Sequence, residues 1–268
     1  MNNFFDGKIL YGDNFDSKGI QLWHDQEKEA YANLNYNNNR EKYKYCYHLF
    51  NKFHAFSKIK DVYFQNVLGI GSAYGDEFLP ICDFIGDLTI IEPSEQFLGN
   101  KIKSIRPKYI KPNISGKINS KDNTYDLVSC LGVLHHIPNV NFVLKEIFRV
   151  MTTGGILLLR EPIDSMGDWR EKRKGLTKNE RGIPVKYFEK IFHDNNIKVI
   201  SRNYCMTATY MINKYYQFFS KKNLLSYNWY VYFDFFISTI LSFNNKYHKV
   251  SNFDKIAPRA VYYVLRKE

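Results

Sequence analysis

Short apolar runs alternate with amphipathic segments through most of this chain. The runs predict strands over residues 65–70, 88–92, 108–113, 126–130, 156–160, 197–205 and 260–266. Helical spacing between them predicts helices over residues 75–84, 94–102, 141–151 and 184–195. Strands that alternate with helices indicate an α/β fold, with a mainly parallel sheet covered by helices on both faces.

Two stretches depart from this alternation. From about His24 to Phe56 the spacing is helical, and the Asn-rich centre Asn35–Asn39 predicts a division into two helices. Residues 207–258, between the last two strands, are dense in aromatic side chains and predict an inserted helical cap. We therefore expect an N-terminal helical segment over residues 1–60, a core domain over residues 61–206 and 259–268, and the insertion between them.

The insertion follows a parallel strand, so we expect it to begin at the ligand-binding edge of the sheet and to roof the acceptor pocket. Its most apolar part, Leu224–Phe243, contains too many polar residues to span a membrane. A buried cap core is the ordinary explanation of this apolar stretch. Peripheral contact with a membrane, or with a partner subunit, is the alternative.

The segment VLGIGSAYG, residues 67–75, carries small residues at alternate positions after the first strand. Small residues let the backbone turn sharply and approach a ligand closely. Glu92 ends the second strand, twenty-one residues after Gly71. A carboxylate at the tip of the neighbouring strand can accept hydrogen bonds from two ribose hydroxyls. The two features together predict a nucleoside-containing cofactor.

Composition adds little to this picture. The net charge of +11 favours phosphorylated or acidic substrates, nucleic acid or an anionic membrane surface, without choosing among them. No basic stripe or RNA-binding module supports a nucleic-acid partner, so we expect none. The four cysteines form no CxxC pair, and we expect neither a disulfide framework nor a metal site. The N-terminus lacks the order of a signal peptide, which favours a cytoplasmic protein.

The stretch from Asn123 to Pro162 decides which cofactor to expect. It contains Tyr125-Asp126 before an apolar strand, the turn His135-His136-Ile137-Pro138, and a helix that leads into Gly154-Gly155. It resembles the second half of a class I S-adenosylmethionine-dependent methyltransferase domain of the methyltransferase type 11/12-like kind. The resemblance implies a Rossmann-like, doubly wound, seven-stranded sheet with an antiparallel last strand. It also implies S-adenosyl-L-methionine as the cofactor.

The resemblance assigns cofactor-binding roles residue by residue. The turn would pack on the methionine part of the cofactor, with its N–H groups near the carboxylate, and Glu92 would hold the ribose. The remaining assignments place adenosine and adenine beside the loops after the second and third strands, and methionine beside the end of the fourth. The assigned residues are Gly69, Gly71, Ser72, Ala73, Gly75, Glu92, Pro93, Ser94, Ser115, Gly116, Cys130, Leu131 and Gly132.

Two positions depart from the family pattern. Gly69 stands where the family usually has an acid that helps to hold the cofactor's amino group, and Ala73 replaces a glycine. The alanine is a mild change. Asp76, Glu77 or bound water could take the place of the missing acid.

Methyl transfer to a hydroxyl benefits from a general base, for which histidine is the natural choice. His135 and His136 follow the fourth strand, where the loop faces the transfer position, and either is a candidate; the alternative is that one caps a helix or packs on the cofactor. Glu161 ends the fifth strand near the same sheet edge and is a third candidate, unless it pairs with Arg160.

The polar loop after Glu161 is rich in basic residues. It could grip an anionic substrate or be an ordinary solvated loop, and Trp169 within it could stack on a ring or anchor the loop. The basic residues are Arg170, Lys172, Arg173, Lys174, Lys178 and Arg181.

The sequence therefore predicts methyl transfer to a small-molecule or glycan-like acceptor at a hydroxyl, such as a nucleotide- or lipid-linked sugar. Two alternatives stay open. One is a degenerate methyltransferase fold that serves as a binding subunit, which Gly69 keeps in view. The other is a NAD-dependent oxidoreductase.

Overall fold

The predicted strands form one seven-stranded sheet in a computed structural model of the chain, in the order β3-β2-β1-β4-β5-β7-β6. Strands β1 to β5 are parallel where they pair, and β7 runs antiparallel to both β5 and β6. The expected fold class is confirmed. The strands are β1 Phe64–Ile70, β2 Ile85–Ile91, β3 Lys108–Ile110, β4 Tyr125–Leu131, β5 Met151–Pro162, β6 Ile197–Cys205 and β7 Ala260–Lys267.

The structure describes residues 2–30, 39–97, 101–169, 171–207, 209–216, 219–220 and 222–268. The Asn-rich centre of the N-terminal region falls mostly in residues 31–38, outside this set. The helices are α1 Asn2–Phe5, α2 Ser17–Glu27, α3 His48–His54, α4 Val140–Val150, α5 Val185–Asp194, α6 Thr209–Tyr216 and α7 Asn228–Ile240.

Alternate residues of the central strands enter two separate apolar cores. Val128 of β4 packs with α4 and α5 on one face of the sheet, whereas Leu127 packs with α3 and α7 on the other. Successive side chains of a strand point to opposite faces, so a strand buried on both sides reads as a continuous apolar run. This is why the apolar runs located the strands.

Three predicted helices differ in the structure. Residues Asp76–Phe84 form a 3₁₀ segment, because Pro80 lacks the N–H that an α-helix needs there. In the second predicted helix, residues 94–102, only Glu95–Phe97 is helical among the described residues, and residues 98–100 are not described. Ile102 pairs with Ile105 in an isolated bridge. The third, α4, ends at Val150, and Gly154-Gly155 lies where the β4–β5 register shifts.

The aromatic insertion packs on the sheet through α7 and contacts the loop after β5 through Tyr247 and His248, largely outside the cavity. Phe53 of α3 meets Tyr232 and Phe235 of α7, with ring centroids 4.9 and 5.3 Å apart. Among the described residues of the insertion, only Asn223 lines the large cavity discussed below. The insertion begins at the ligand-binding edge, as expected, but its described residues do not roof the cavity, and α7 buries its inner face against α3 and β6.

The outer face of α7 leaves large aromatic side chains in solvent, including Trp229 and Phe236, which are 62% and 61% exposed. Peripheral contact through residues 224–243 stays a prediction. Across the described part of the chain, no helix has the length and apolar character needed to cross a membrane.

Candidate active site

A cavity of about 660 Å³ opens at the carboxyl ends of β1, β2, β3 and β4. Open α/β sheets bind their ligands at this edge, because the loops that leave the strands diverge there. The N-terminal segment forms the facing wall, through Trp23, Glu27 and residues 43–47. This wall was not foreseen from the sequence.

The glycine turn after β1 is as sharp as its small residues suggested. Gly71 has a φ of +59°, and a Cβ there would lie 2.8 Å from the Val133 side chain. Gly69 lies within β1, where a Cβ would overlap the Ser72 hydroxyl and lie 3.0 Å from Phe78. An acid at position 69 would therefore not fit this packing, which explains the departure from the family pattern.

Glu92 lies just after β2, buried, with its carboxylate at the cavity wall. Its two oxygens accept hydrogen bonds from the N–H groups of Ala73 (3.0 Å) and Ser94 (3.1 Å). Burial raises the pKa of Glu92 to about 7, although these two N–H groups pull in the opposite direction. The carboxylate is thus fixed at the point where the turn and the second strand meet.

Of the two acids that could replace the one missing at position 69, only Glu77 faces the cavity. Asp76 is held by Arg40 in a two-point ion pair, at 2.5 and 2.9 Å. Glu77 accepts a hydrogen bond from the Ser72 hydroxyl (2.9 Å) and is buried, which raises its pKa. The structure places Glu77 beside the space that a side chain at position 69 would enter.

The His-His turn is a 3₁₀ segment, Leu134–His136, directly after β4. Glu161 is fully buried beneath it and accepts hydrogen bonds from the N–H groups of Val133 and Leu134, both at 2.8 Å. The same carboxylate lies 2.8 Å from Nδ1 of His135. Glu161 does not line the cavity, so the expectation that it faces the acceptor is not met. It positions the turn and the His135 ring.

His136 has an equivalent carboxylate partner from the N-terminal segment. Its Nδ1 lies 3.0 Å from Glu27, whose other oxygen accepts a hydrogen bond from the N–H of Asn179 (2.8 Å). Burial and the neighbouring His135 lower the pKa of His136. Both imidazoles therefore lie at the cavity with Nδ1 held by a buried glutamate.

Residues 68–159 match the family described as "Methyltransferase domain". This stretch of the chain is a methyltransferase domain.

The methyltransferase domain has relatives of known sequence and structure. Sterol 4-C-methyltransferase strm-1 of Caenorhabditis elegans is 34% identical over 103 residues, which are 36% of this chain and 30% of that protein's length. The N-methyltransferase NodS of Bradyrhizobium japonicum, solved with S-adenosyl-L-homocysteine, has a TM-score of 0.50 at 12% identity, covering 94% of this chain and 97% of NodS. The PH0226 protein of Pyrococcus horikoshii has a TM-score of 0.55 at 12% identity, and the match covers 89% of this chain and 99% of that protein. The two structures share the fold.

Most residues predicted for the methyltransferase site come together at the cavity. Gly71, Ser72, Ala73, Glu92, Pro93, Ser94, Gly116, Leu131, Gly132, His135 and His136 line it. Gly69, Gly75, Ser115, Cys130 and Glu161 do not. Ser115 is exposed, with its carbonyl bound to the Asn139 amide, and Cys130 is fully buried in the core. Ser115 and Cys130 therefore bring no side chain to the cavity, and the expectation that the backbone of Cys130 lies beside the methionine moiety stays a prediction.

Arg160 lines the cavity beside Gly132, and sequence reasoning had treated it only as a partner for Glu161. Its guanidinium lies 4.1 Å from the centre of the Tyr47 ring, and Nη2 donates to the Leu131 carbonyl at 3.3 Å. Nη1 is buried with no hydrogen-bond partner among the described residues. A buried guanidinium with a free donor suits an anionic group in the cavity.

The loop after β5 holds the methyltransferase site together from outside. Arg181 is fully buried, and Arg173 donates to four backbone carbonyls. Trp169 stacks against Tyr11 at 5.2 Å and so anchors the loop. The guanidinium groups of Arg173 and Arg181 are engaged with the protein's own backbone, which favours a structural role over a grip on an anionic substrate. Arg170 lies outside the described residues.

Proposed function

We propose that this protein transfers a methyl group from S-adenosylmethionine to a hydroxyl oxygen of a small-molecule or glycan-like acceptor, such as a nucleotide- or lipid-linked sugar. One observation carries the proposal. A single cavity joins the buried Glu92 carboxylate to two imidazoles that are each held by a glutamate.

The cofactor fits the near end of this cavity. The carboxylate of Glu92 would accept hydrogen bonds from the ribose hydroxyls, and Glu77 would pair with the ammonium group. A φ of +79° at Gly132 turns the chain at the end of β4 and leaves room beside the cavity. When bound, S-adenosylmethionine supplies a methyl group made electrophilic by its sulfonium.

The acceptor end lies around Gly132. A Cβ at that position would lie 3.8 Å from the His135 ring and 3.4 Å from Arg160 Nη2, so both groups reach the expected transfer point. An imidazole whose Nδ1 is held by a carboxylate presents Nε2 to a hydroxyl and can take up its proton. Arg160 would hold an anionic part of the acceptor, such as a phosphate.

The name of the Caenorhabditis elegans relative gives carbon as the methylated atom. Two carboxylate-held imidazoles favour oxygen here, because removal of a hydroxyl proton is the step that a histidine serves best at neutral pH. The relative aligns over a minority of both chains, so its acceptor does not carry over.

Calorimetric titration with S-adenosylmethionine, S-adenosylhomocysteine and NAD tests the proposal. We expect both sulfur compounds to bind with one site per chain and NAD to give no heat. Binding of NAD alone would identify an oxidoreductase and overturn the proposal. Binding of S-adenosylhomocysteine without methylation of any hydroxyl acceptor would support the degenerate binding subunit.

The affinity for S-adenosylhomocysteine should depend on pH through Glu92. The ribose hydroxyls bind the ionised carboxylate, and its pKa is about 7 before the ligand binds. Affinity should therefore be full above pH 7 and fall up to about tenfold per pH unit below it, because a proton must leave before binding. Titrations from pH 5.5 to 8.5 measure the slope. Glu92→Gln is the control, and an equal slope in that variant would contradict the assignment.

Exchange of Glu77 for glutamine should weaken S-adenosylhomocysteine binding about tenfold, since a charge-assisted hydrogen bond to the ammonium group becomes a neutral one. Asp76→Asn is the matched control, because its carboxylate pairs with Arg40 outside the cavity. Calorimetry on the two variants compares them directly. If Asp76→Asn binds S-adenosylhomocysteine more weakly than Glu77→Gln does, the assignment of Glu77 as the partner of the ammonium group is wrong.

A further inference from the structure

Three ligand-type atoms converge at the acceptor end of the cavity. Nε2 of His136 lies 3.4 Å from Oε2 of Glu180, and Nε2 of His135 lies 3.7 Å from the same oxygen. The ligand atoms of the three residues all lie within 4.8 Å of one another. All three side chains line the cavity and are largely buried.

The second polar atom of each side chain is already engaged. Glu161 lies at Nδ1 of His135, Glu27 lies at Nδ1 of His136, and the N–H of Thr177 donates to Oε1 of Glu180 (3.2 Å). A carboxylate on Nδ1 fixes the tautomer that leaves the Nε2 lone pair free, which is the usual outer-shell arrangement of a metal-bound histidine. The atoms left free are Nε2 of each histidine and Oε2 of Glu180, and these are the atoms that face one another.

The separations fit shared coordination better than direct hydrogen bonding. An N–H···O hydrogen bond spans about 2.7–3.2 Å, and both contacts to Glu180 are longer. A tetrahedral ion with nitrogen and oxygen ligands at about 2.0–2.1 Å sets those ligands roughly 3.3–3.4 Å apart. The contacts of 3.4 and 3.7 Å are close to that spacing.

We propose that His135, His136 and Glu180 bind one divalent transition-metal ion through Nε2, Nε2 and Oε2. Two imidazoles and one carboxylate suit Zn²⁺, Fe²⁺ or Co²⁺, whereas Mg²⁺ and Ca²⁺ prefer oxygen ligands throughout. The expectation of no metal site came from the spacing of the cysteines. That criterion does not detect a ligand set of this kind, in which Glu180 comes from a different loop.

The ion would deepen the proposed function, and its role rests on that function. A coordination position left open by three protein ligands would face the cavity, where an acceptor hydroxyl could bind. Coordination would lower the pKa of the hydroxyl, so that its proton leaves to solvent and the oxygen keeps the electron pair. The oxygen would then form the new O–CH3 bond as the S–CH3 bond breaks, and S-adenosylhomocysteine would leave with the electron pair on sulfur. With the ion bound, activation of the hydroxyl by the metal would replace the proton uptake by an imidazole proposed above for the metal-free chain.

Metal binding by the full chain, without cofactor, tests the proposal. Protein freed of metal with a chelator is titrated calorimetrically with Zn²⁺ and with Co²⁺, and metal content is measured after dialysis. We expect one ion per chain and no binding of Mg²⁺ at the same concentrations. Glu180→Gln should weaken binding by at least about 100-fold, and Glu27→Gln, which alters an outer partner, by about 10- to 100-fold.

His193→Gln is the matched control, because the side chain of this histidine is 89% exposed and lies outside the cavity. The His193→Gln variant should bind Zn²⁺ and Co²⁺ with the affinity of the wild-type chain. In the wild-type chain, Zn²⁺ should shift the imidazole NMR signals of two of the seven histidines. This readout stands even if a variant fails to fold.

Absence of Zn²⁺ and Co²⁺ binding to the wild-type chain would overturn the proposal, and so would equal affinity in Glu180→Gln. S-adenosylhomocysteine binding, measured on every variant, reports folding and tests the proposed function separately. A chain that binds S-adenosylhomocysteine but no metal refutes only the metal site. A chain that binds metal but no S-adenosylhomocysteine refutes only the cofactor assignment.

Discussion

Exchange of Glu92 for alanine should reduce the affinity for S-adenosylhomocysteine about 100-fold or more. The carboxylate is fixed by the N–H groups of Ala73 and Ser94 and faces the cavity, where it would accept two ribose hydrogen bonds. Hydrogen bonds to a charged group contribute about 1.5–3 kcal/mol each, so the loss of two exceeds a single tenfold step. Isothermal calorimetry at pH 8, above the pKa of Glu92, measures the change.

Glu95→Ala is the matched control for this experiment. Glu95 lies three residues further along the same loop, but its side chain is 71% exposed and pairs with Lys111. Its removal should change the affinity less than twofold, because exposed ion pairs contribute little. If Glu92→Ala binds as tightly as Glu95→Ala while both melt cooperatively, the ribose does not lie at the end of β2.

The strands and the cofactor end of the site could be predicted because their signals are local. A run of apolar residues marks a strand buried on both faces. Gly71 follows β1 and Glu92 follows β2, so one helical segment and one strand separate them. The edge strand β3 ends at Ile110, shortly before Pro112, whose missing N–H cannot continue a ladder. Each of these inferences needs only neighbouring residues.

The acceptor end could not be predicted in the same way. Glu27 and Glu180 lie in different parts of the sequence and meet His136 only through tertiary packing, Glu27 from the N-terminal segment and Glu180 from the loop after β5. The sequence predicted the correct edge of the sheet for Glu161, but it did not predict the direction in which the side chain points. Side chains alternate along β5, so Arg160 faces the cavity while its neighbour Glu161 lies beneath the His-His turn.

The N-terminal segment is thus part of the site. Trp23 of α2 donates to the His136 carbonyl at 2.6 Å, and Glu27 from the same helix holds the His136 ring. Helix α2 therefore both lines the cavity and fixes the position of the predicted catalytic turn. The aromatic insertion, which composition had marked as the cap, lies on a different side of the sheet.

Exchange of Arg181 for methionine should lower the free energy of unfolding by about 3–5 kcal/mol. The guanidinium is fully buried and donates to the carbonyls of the N-terminal segment and of the His-His-Ile-Pro turn, which are those of Tyr11, Leu134, His135, Ile137 and Pro138. Methionine fills much of the volume, and the carbonyls of Leu134, His135 and Pro138 keep backbone donors. The carbonyls of Tyr11 and Ile137 lose the guanidinium donors that hold them. Each buried polar group left unsatisfied costs about 1–3 kcal/mol, and partial relaxation reduces the sum.

Thermal melts followed by circular dichroism, with urea titration for the free energy, measure the loss. Arg202→Met is the matched control, since that guanidinium is 43% exposed and pairs with Glu189 at the surface. A melting temperature about 10 °C below wild type is expected for Arg181→Met, against a small change for Arg202→Met. The comparison also decides between the two roles considered for Arg181. A residue that grips an anionic substrate would leave the melting temperature of the free protein unchanged on removal, whereas one that ties the catalytic turn to the N-terminal segment must lower it.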